Sequence, residues 1–333
     1  MRRLISDVLT RDGMQVVAEA ANGREAIDAC RLHEPDVLSL DLAMPEVDGI
    51  EVLRKLRRRK QMKIVVVSSF SEQGGGRAVD ALAEGAFELG PKRASGGKLQ
   101  DFLDDLLTKI QAATFERPRR NGPVPDLPPQ PPNAPRRRLP AAKAHPHGKK
   151  LVLIASSTGG PRALTEVVSG LPGELGQGLV IVQHMPAGFT RSLATRLDGD
   201  CPLAIAEGVA GEKIDSGHGW VAPGGRHLRI RRRRLELSDD PPIAGLRPCA
   251  DITIADAVES YGGDIVLVVL TGMGRDACKG AKLVKDAGGV VIAEHGDTTT
   301  VNGMPRAVTE AGLADAVLPI GEIAAAIVEA AGD

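Results

Sequence analysis

The tightest constraint on this chain is the stretch Leu151-Val152-Leu153-Ile154-Ala155-Ser156-Ser157-Thr158-Gly159-Gly160. Its leading apolar run is too short for an isolated helix and reads as a buried parallel strand. A turn rich in hydroxyls and glycine follows, then Pro161-Arg162-Ala163-Leu164-Thr165-Glu166-Val167-Val168, where proline suits a first helical position. A strand, turn and helix in this order lift their side chains to the carboxyl edge of a sheet, where open α/β proteins place their chemistry. Ser157 is therefore a candidate nucleophile, and the free N–H groups of the helix start suit an anion. A helix cap with a tight turn has the same appearance, so the other strand ends must decide.

The 333 residues are enough for two domains with full cores. A net charge of −1 argues against a dedicated nucleic-acid or acidic-polymer binder. Cys30, Cys201, Cys249 and Cys278 are widely spaced with no CxxC pair, against zinc and against a disulfide framework. They fit a cytoplasmic protein. No run approaches the ~20 apolar residues of a membrane span, and no signal peptide is expected. With aromatics at 2%, the cores must be built from Ala, Val, Leu and Ile, as in parallel sheets wrapped by helices.

Residues 1–113 alternate strand and helix. Helices are predicted over Arg2–Arg11, Gly23–Leu32, Ile50 to about Arg59, Gly76–Glu84 and Leu99–Ala112. Strands are predicted over Met14–Ala20, Asp36–Asp41, Lys63–Ser68 and Ala86–Leu89, giving a doubly wound α/β domain. Asp41, Ser68 and Lys92 fall at the carboxyl ends of successive strands. Singly, each is ordinary solvated strand-end chemistry. Together with the run Leu40-Asp41-Leu42-Ala43-Met44-Pro45-Glu46-Val47-Asp48-Gly49, they resemble a two-component receiver domain. The resemblance implies a flavodoxin-like fold in which Asp41 accepts a phosphoryl group from a sensor histidine kinase with Mg²⁺. Ser68 and Lys92 would contact that group.

This segment departs from the receiver pattern at its start. A receiver opens on a strand ending in two acidic Mg²⁺ ligands, whereas Met1-Arg2-Arg3-Leu4-Ile5 is already first-helix sequence. In the order 2-1-3-4-5 the missing strand is a central one, and its loss leaves both neighbours' backbone groups unpaired. Asp41 alone is a poor magnesium site. Leu89 stands where the family has an aromatic switch, and Arg93 where proline follows the lysine. The expectation is a receiver that accepts phosphate poorly, or a true start upstream.

Residues 114–149 change character. Pro123, Pro125, Pro128, Pro129, Pro131, Pro132, Pro135 and Pro140 alternate with basic groups such as Arg136-Arg137-Arg138. This is an extended, semi-rigid linker, more simply a spacer than a docking segment, with His145 and His147 solvated inside it.

Residues 150–333 alternate again. Gly178–Gln183 is a strand delivering His184, and Phe189–Leu197 a helix capped by the hydroxyls near Thr190. Residues 202–237 are short strands and turns, with Arg231-Arg232-Arg233-Arg234 at a hairpin tip or edge; an acidic partner surface is the sharper alternative. Asp251–Tyr261 is a helix, and Asp264–Leu270 a buried strand entering Thr271-Gly272-Met273-Gly274-Arg275-Asp276. Val290–Ala293, a helix opened by Pro305 and a helix over Ile320–Ala331 complete the layer. Ser157, His184 and Asp276 thus reach the same edge of one parallel sheet. That is what acyl transfer needs: a nucleophile, a base, and a carboxylate that fixes the imidazole. The chain order Ser, His, Asp differs from the Ser, Asp, His of α/β-hydrolases.

Ala155-Ser156-Ser157-Thr158-Gly159-Gly160, Gln183-His184-Met185-Pro186-Ala187-Gly188-Phe189-Thr190, Leu270–Asp276 and Asn302-Gly303-Met304-Pro305-Arg306 resemble the chemotaxis protein-glutamate methylesterase family, receiver and linker included. The resemblance implies that Ser157, His184 and Asp276 are the triad of a Rossmann-like catalytic domain. Met273 N–H, with Thr158 in support, would form the oxyanion hole. It further implies hydrolysis of glutamate γ-methyl esters on the cytoplasmic domains of methyl-accepting chemoreceptors. Deamidation of receptor glutamines would share the site, no cofactor would be needed, and receiver phosphorylation would relieve inhibition. Two departures stand out: Ala277 where glycine is common, expected to crowd its turn, and Ala155-Ser156 where Gly-Ala is usual, expected to tighten the turn before the nucleophile. The alternatives are a receiver with a non-catalytic anion-binding output, and a DNA-binding response regulator. Against the first, no P-loop lysine or GxGxxG is present. Against the second, no terminal helix-turn-helix is present.

Overall fold

The structure, a computed structural model, describes residues 1–44, 47–56, 62–68, 72–92, 99–115 and 149–332. The chain divides into two units, Met1–Pro125 and Asp126–Asp333. Among the described residues no helix is long and apolar enough to cross a membrane.

The first unit runs α1 (Arg2–Arg11), α2 (Gly23–His33), β1 (Val37–Asp41), α3 (Gly49–Leu56), β2 (Lys63–Ser68), α4 (Glu72–Ala83), β3 (Glu88–Pro91) and α5 (Leu99–Phe115). The strands form a parallel sheet in the order β1-β2-β3. The central β2 is buried from Ile64 onward, as a β-branched run between two neighbours and two helical faces must be. Asn22 caps α2 by accepting from Glu25 N–H at 3.0 Å.

The alternating stretch Met14–Ala20 forms no strand, which corrects the sequence reading. The physical cause is the absence of a pairing partner among the described residues. A strand is held by a ladder, and a cavity of about 840 Å³ is lined by both this stretch and β1. Ile5, Val16, Ala18, Leu38, Leu40 and Asp41 are among its lining residues. The helix α1 accordingly has no fully buried residue. Three boundaries also move. The strand read at Ala86–Leu89 pairs as Glu88–Pro91, α4 begins at Glu72, and α5 runs to Phe115, into the segment read as linker. The rest of that linker, with Pro45, Glu46 and Arg93, lies outside the described residues.

The second unit runs β4 (Leu151–Ser156), α6 (Gly160–Val168), β5 (Leu179–Gln183), α7 (Thr190–Asp200), β6 (Ala204–Glu207), β7 (His218–Val221), β8 (His227–Arg231) and β9 (Arg234–Ser238). It continues with α8 (Ala250–Tyr261), β10 (Ile265–Val269), α9 (Cys278–Asp286), β11 (Val290–Glu294), α10 (Met304–Glu310), β12 (Ala316–Leu318) and α11 (Ile320–Ala331). Seven parallel strands lie in the order β12-β11-β10-β4-β5-β7-β6. The strands β4, β5 and β10 are buried at every position, which is why their sequences are continuous apolar runs without alternation. Leu151, Leu153 and Ala155 join one core with residues of α8, α9, α10 and the β8–β9 hairpin. Helix α6 packs against both α7 and α11.

The arginine run is the hairpin tip, as read. Arg232 and Arg233 take φ of 51° and 61°, the left-handed pair of a two-residue hairpin turn. Arg233 lies over the Tyr261 ring at 5.0 Å. The reading of α7 needs correction. Its N-cap is Phe189, with no side-chain cap. The Thr190 hydroxyl instead donates to Glu207 at 2.6 Å and accepts from Gly224 N–H at 2.9 Å, tying α7 to the sheet's far edge.

Candidate active site

Strand order reverses at β4: the chain leaves it toward β5 on one side and later returns to β10 on the other. Such a reversal opens a crevice at the carboxyl ends of the strands. Ser157 follows β4 there, His184 follows β5, and Asp276 lies in the loop after β10. The β4–β5 register pairs Ser156 with Gln183, and His184 N–H donates to the Ser156 carbonyl at 3.0 Å. Ser157 and His184 are therefore the first residues past the paired positions on adjacent strands. Ser157 N–H donates to the Thr271 carbonyl at 3.0 Å, binding the turn after β4 to the β10 loop. The two backbones approach so closely that a Cβ at Gly272 would stand 2.7 Å from the Ser157 Cβ. Only glycine fits.

His184 Nε2 and Asp276 Oδ2 are 2.7 Å apart, and both side chains are buried. With Nε2 engaged by the carboxylate, Nδ1 is the ring nitrogen that remains available, the reverse of the nitrogen order in the chymotrypsin arrangement. Asp276 also accepts from Ala250 N–H at 2.6 Å, Asp251 N–H at 2.9 Å and Ala277 N–H at 3.0 Å, and from the Cys249 thiol at 3.3 Å. Its carboxylate thus sits on the N-terminus of α8, where free donors and the helix dipole favour negative charge. Burial alone would raise the Asp276 pKa. The His184 hydrogen bond and charge, with the α8 N–H donors, outweigh it and hold the carboxyl well below the usual range. Burial and the adjacent carboxylate push the Cys249 thiol up to about 12, so it stays protonated.

Met273 is 41% exposed, and its N–H donates to no acceptor among the described residues. Thr158 is buried, its carbonyl accepting from the Thr271 hydroxyl at 2.9 Å. That hydroxyl also accepts from Val301 N–H at 2.9 Å, and Thr271 N–H donates to Glu294 at 2.8 Å. Thr271 therefore joins the nucleophile turn, the 271–276 loop and the loop around Val301. Burial raises the Glu294 pKa against its hydrogen bonds from Thr271 and Thr298.

Thr271, Glu294, Gln183 and Cys249 were not singled out from sequence. Gln183 and Glu294 did leave a signal: each is a buried polar residue closing an otherwise apolar strand. Two expectations about departures resolve differently. Ser156 is the last residue of β4, not part of the turn, and its hydroxyl is satisfied by Gln183 at 2.7 Å. Ala277 does carry its methyl at a strained position, φ 72°.

In the first unit, Lys92 Nζ is ion-paired with Asp41 Oδ2, and Asp41 Oδ1 accepts from Ala43 N–H at 2.9 Å. The Ser68 hydroxyl turns to the Gly74 carbonyl at 2.9 Å, so the structure joins Asp41 with Lys92 but not with Ser68. Both Asp41 oxygens are engaged, one by an ammonium. Asp48 is paired with Arg77 at 2.9 Å, and no group of three or more His, Cys, Asp or Glu among the described residues could hold a metal. This donor set does not fit the octahedral oxygens that Mg²⁺ requires.

Residues 152–327 match the CheB methylesterase family, and residues 1–104 match the response regulator receiver domain. The chain is 37% identical to a protein-glutamate methylesterase/protein-glutamine glutaminase of Symbiobacterium thermophilum, over all of this chain and 94% of that protein. It is also 37% identical to the protein of that name from Thermotoga maritima, over 99% of this chain and 95% of the relative. The crystal structure of the Thermotoga maritima CheB methylesterase catalytic domain superposes with a TM-score of 0.53 at 43% identity, covering 54% of this chain and 98% of that domain. The chain belongs to the CheB methylesterase family, with a response regulator receiver domain ahead of its catalytic domain.

Proposed function

We propose that Ser157, His184 and Asp276 are the triad with which this enzyme, a protein-glutamate methylesterase and protein-glutamine glutaminase, hydrolyses its substrate through an acyl-enzyme. The reading is carried by the 2.7 Å His184–Asp276 hydrogen bond, made beside Ser157 at the sheet's switch point. Ser157 Oγ attacks the γ-carbonyl of a glutamyl methyl ester, and its proton passes to His184 Nδ1. Asp276 stabilises the imidazolium and fixes its tautomer. The Met273 N–H, with Thr158 in support, receives the oxyanion, an interaction worth about 3 kcal/mol per donor in other hydrolases. His184 returns the proton to departing methanol. Water then attacks the acyl-enzyme with His184 again as base, releasing glutamate and free Ser157. A glutamine side chain follows the same path, with ammonia as leaving group.

The substrates in this reading are the cytoplasmic domains of methyl-accepting chemoreceptors, which places the enzyme in the cytoplasm. Residues 150–333 do the chemistry, 114–149 link, and 1–113 regulate. Asp41 is the acceptor position for a sensor histidine kinase, with Lys92 poised to pair with the phosphoryl charge. A serine-reactive phosphonate followed by peptide mass mapping tests the nucleophile. Modification confined to Ser157 is expected; a protein that stays unmodified would favour an anion-binding output domain.

A further inference from the structure

The β4–β5 hydrogen-bond ladder ends at the rung from His184 N–H to the Ser156 carbonyl, one residue short of Ser157. Past that rung, the Gln183 side chain takes over. It is 2% exposed and lies beneath the nucleophile turn. Its Nε2 donates to the Ser157 carbonyl at 2.9 Å and to the His184 carbonyl at 3.1 Å. Each of its two hydrogens thus goes to the backbone of one catalytic residue. Both partners only accept, so the amide nitrogen must face them and the oxygen must face away. That oxygen accepts from the Ser156 hydroxyl, itself fully buried, at 2.7 Å. The Ser157 carbonyl also closes the turn by accepting from Gly160 N–H at 2.8 Å. The space is full: a Cβ at Gly160 would stand 1.9 Å from Gln183 Oε1.

We propose that Gln183 is a positioning residue that fixes the nucleophile against the general base, and that Ser156 and Gly160 hold its amide in place. This rests on the triad reading given above. A carboxamide in this position acts as one rigid cross-link between two loops whose relative placement sets the attack geometry. Displacements of about 1 Å there cost up to roughly 100-fold in rate.

The test compares full-length Gln183→Met, Gln183→Glu, Ser156→Ala and Gly160→Ala with wild type, by methanol release from methylated receptor membranes and by thermal unfolding. Gln183→Met keeps the volume and removes the cross-link; kcat should fall about 10- to 100-fold with KM within about twofold of wild type. Ser156→Ala and Gly160→Ala should lower kcat in the same way, the first less than the second. Gln183→Glu supplies the distinguishing readout. Ionised, it sets a carboxylate against two carbonyls; protonated, it restores one donor. Its activity relative to wild type should therefore rise as pH falls. Wild-type kcat in Gln183→Met, or a Gln183→Glu to wild-type ratio flat with pH, would overturn the proposal. If Gln183→Glu unfolds, Gly160→Ala decides, full kcat being contradictory. Phosphonate labelling of the same proteins separates the two readings. Ser157 labelled in wild type but slowly in the variants supports the cross-link, whereas no labelling in wild type removes the triad itself.

Discussion

Asp276 gathers more donors than any other side chain at the site, and it carries a stability consequence as well as a catalytic one. Its native pKa lies below the unfolded value of about 3.9. The ionised carboxylate therefore stabilises the fold above about pH 4, and this contribution is lost as pH falls further. Urea unfolding should show wild type more stable than Asp276→Asn at pH 7, with the gap closing progressively below about pH 4. The same substitution should lower kcat about 10³- to 10⁴-fold, by mispresenting the imidazole. A neighbouring residue offers the opposite test. Ala277 is a buried residue with φ 72°. Ala277→Gly should raise stability by about 0.5–1 kcal/mol in the same unfolding assay, leaving activity in place because the backbone N–H at 277 still donates to Asp276.

At the level of elements, the account turns on neighbours. Met14–Ala20 has strand-like sequence yet pairs with no strand among the described residues, so its amides past Met14, whose N–H is held by the Leu9 carbonyl, should exchange with solvent almost unprotected. Those of Val65 and Val66, paired on the buried β2, should be protected. Hydrogen exchange with mass spectrometry checks this, and protection across 15–20 would contradict it. The same stretch shows where sequence stops being legible. The strands β4, β5 and β10 were readable because burial on both faces writes itself as an unbroken apolar run. That Ser157, His184 and Asp276 share one sheet edge was readable because strand ends do. Pairing cannot be read locally, so an alternating stretch without a partner looks in sequence like any strand. Nor can Thr271 be read, since its role exists only when three separate loops converge on one hydroxyl. Gln183 and Glu294 are intermediate: their polarity at the end of buried strands was visible, their partners were not.

Across the whole molecule, the proposed control rests on a receiver in which both Asp41 carboxylate oxygens are already engaged, by Lys92 and by Ala43 N–H. Mg²⁺-dependent labelling of the 333-residue chain by a small phosphodonor should be weak; strong labelling at Asp41 would refute this. In the family reading the receiver restrains the catalytic domain. Removal of residues 1–149 should then raise methylesterase activity, and unchanged activity would mean that no such restraint operates here. Both results bear on control and neither on the chemistry. That chemistry is tested most directly by methanol release from methylated receptor membranes, wild type against Ser157→Ala at matched folding. Release by wild type and none by the variant is expected. Comparable release by both would contradict the assignment of Ser157 as nucleophile.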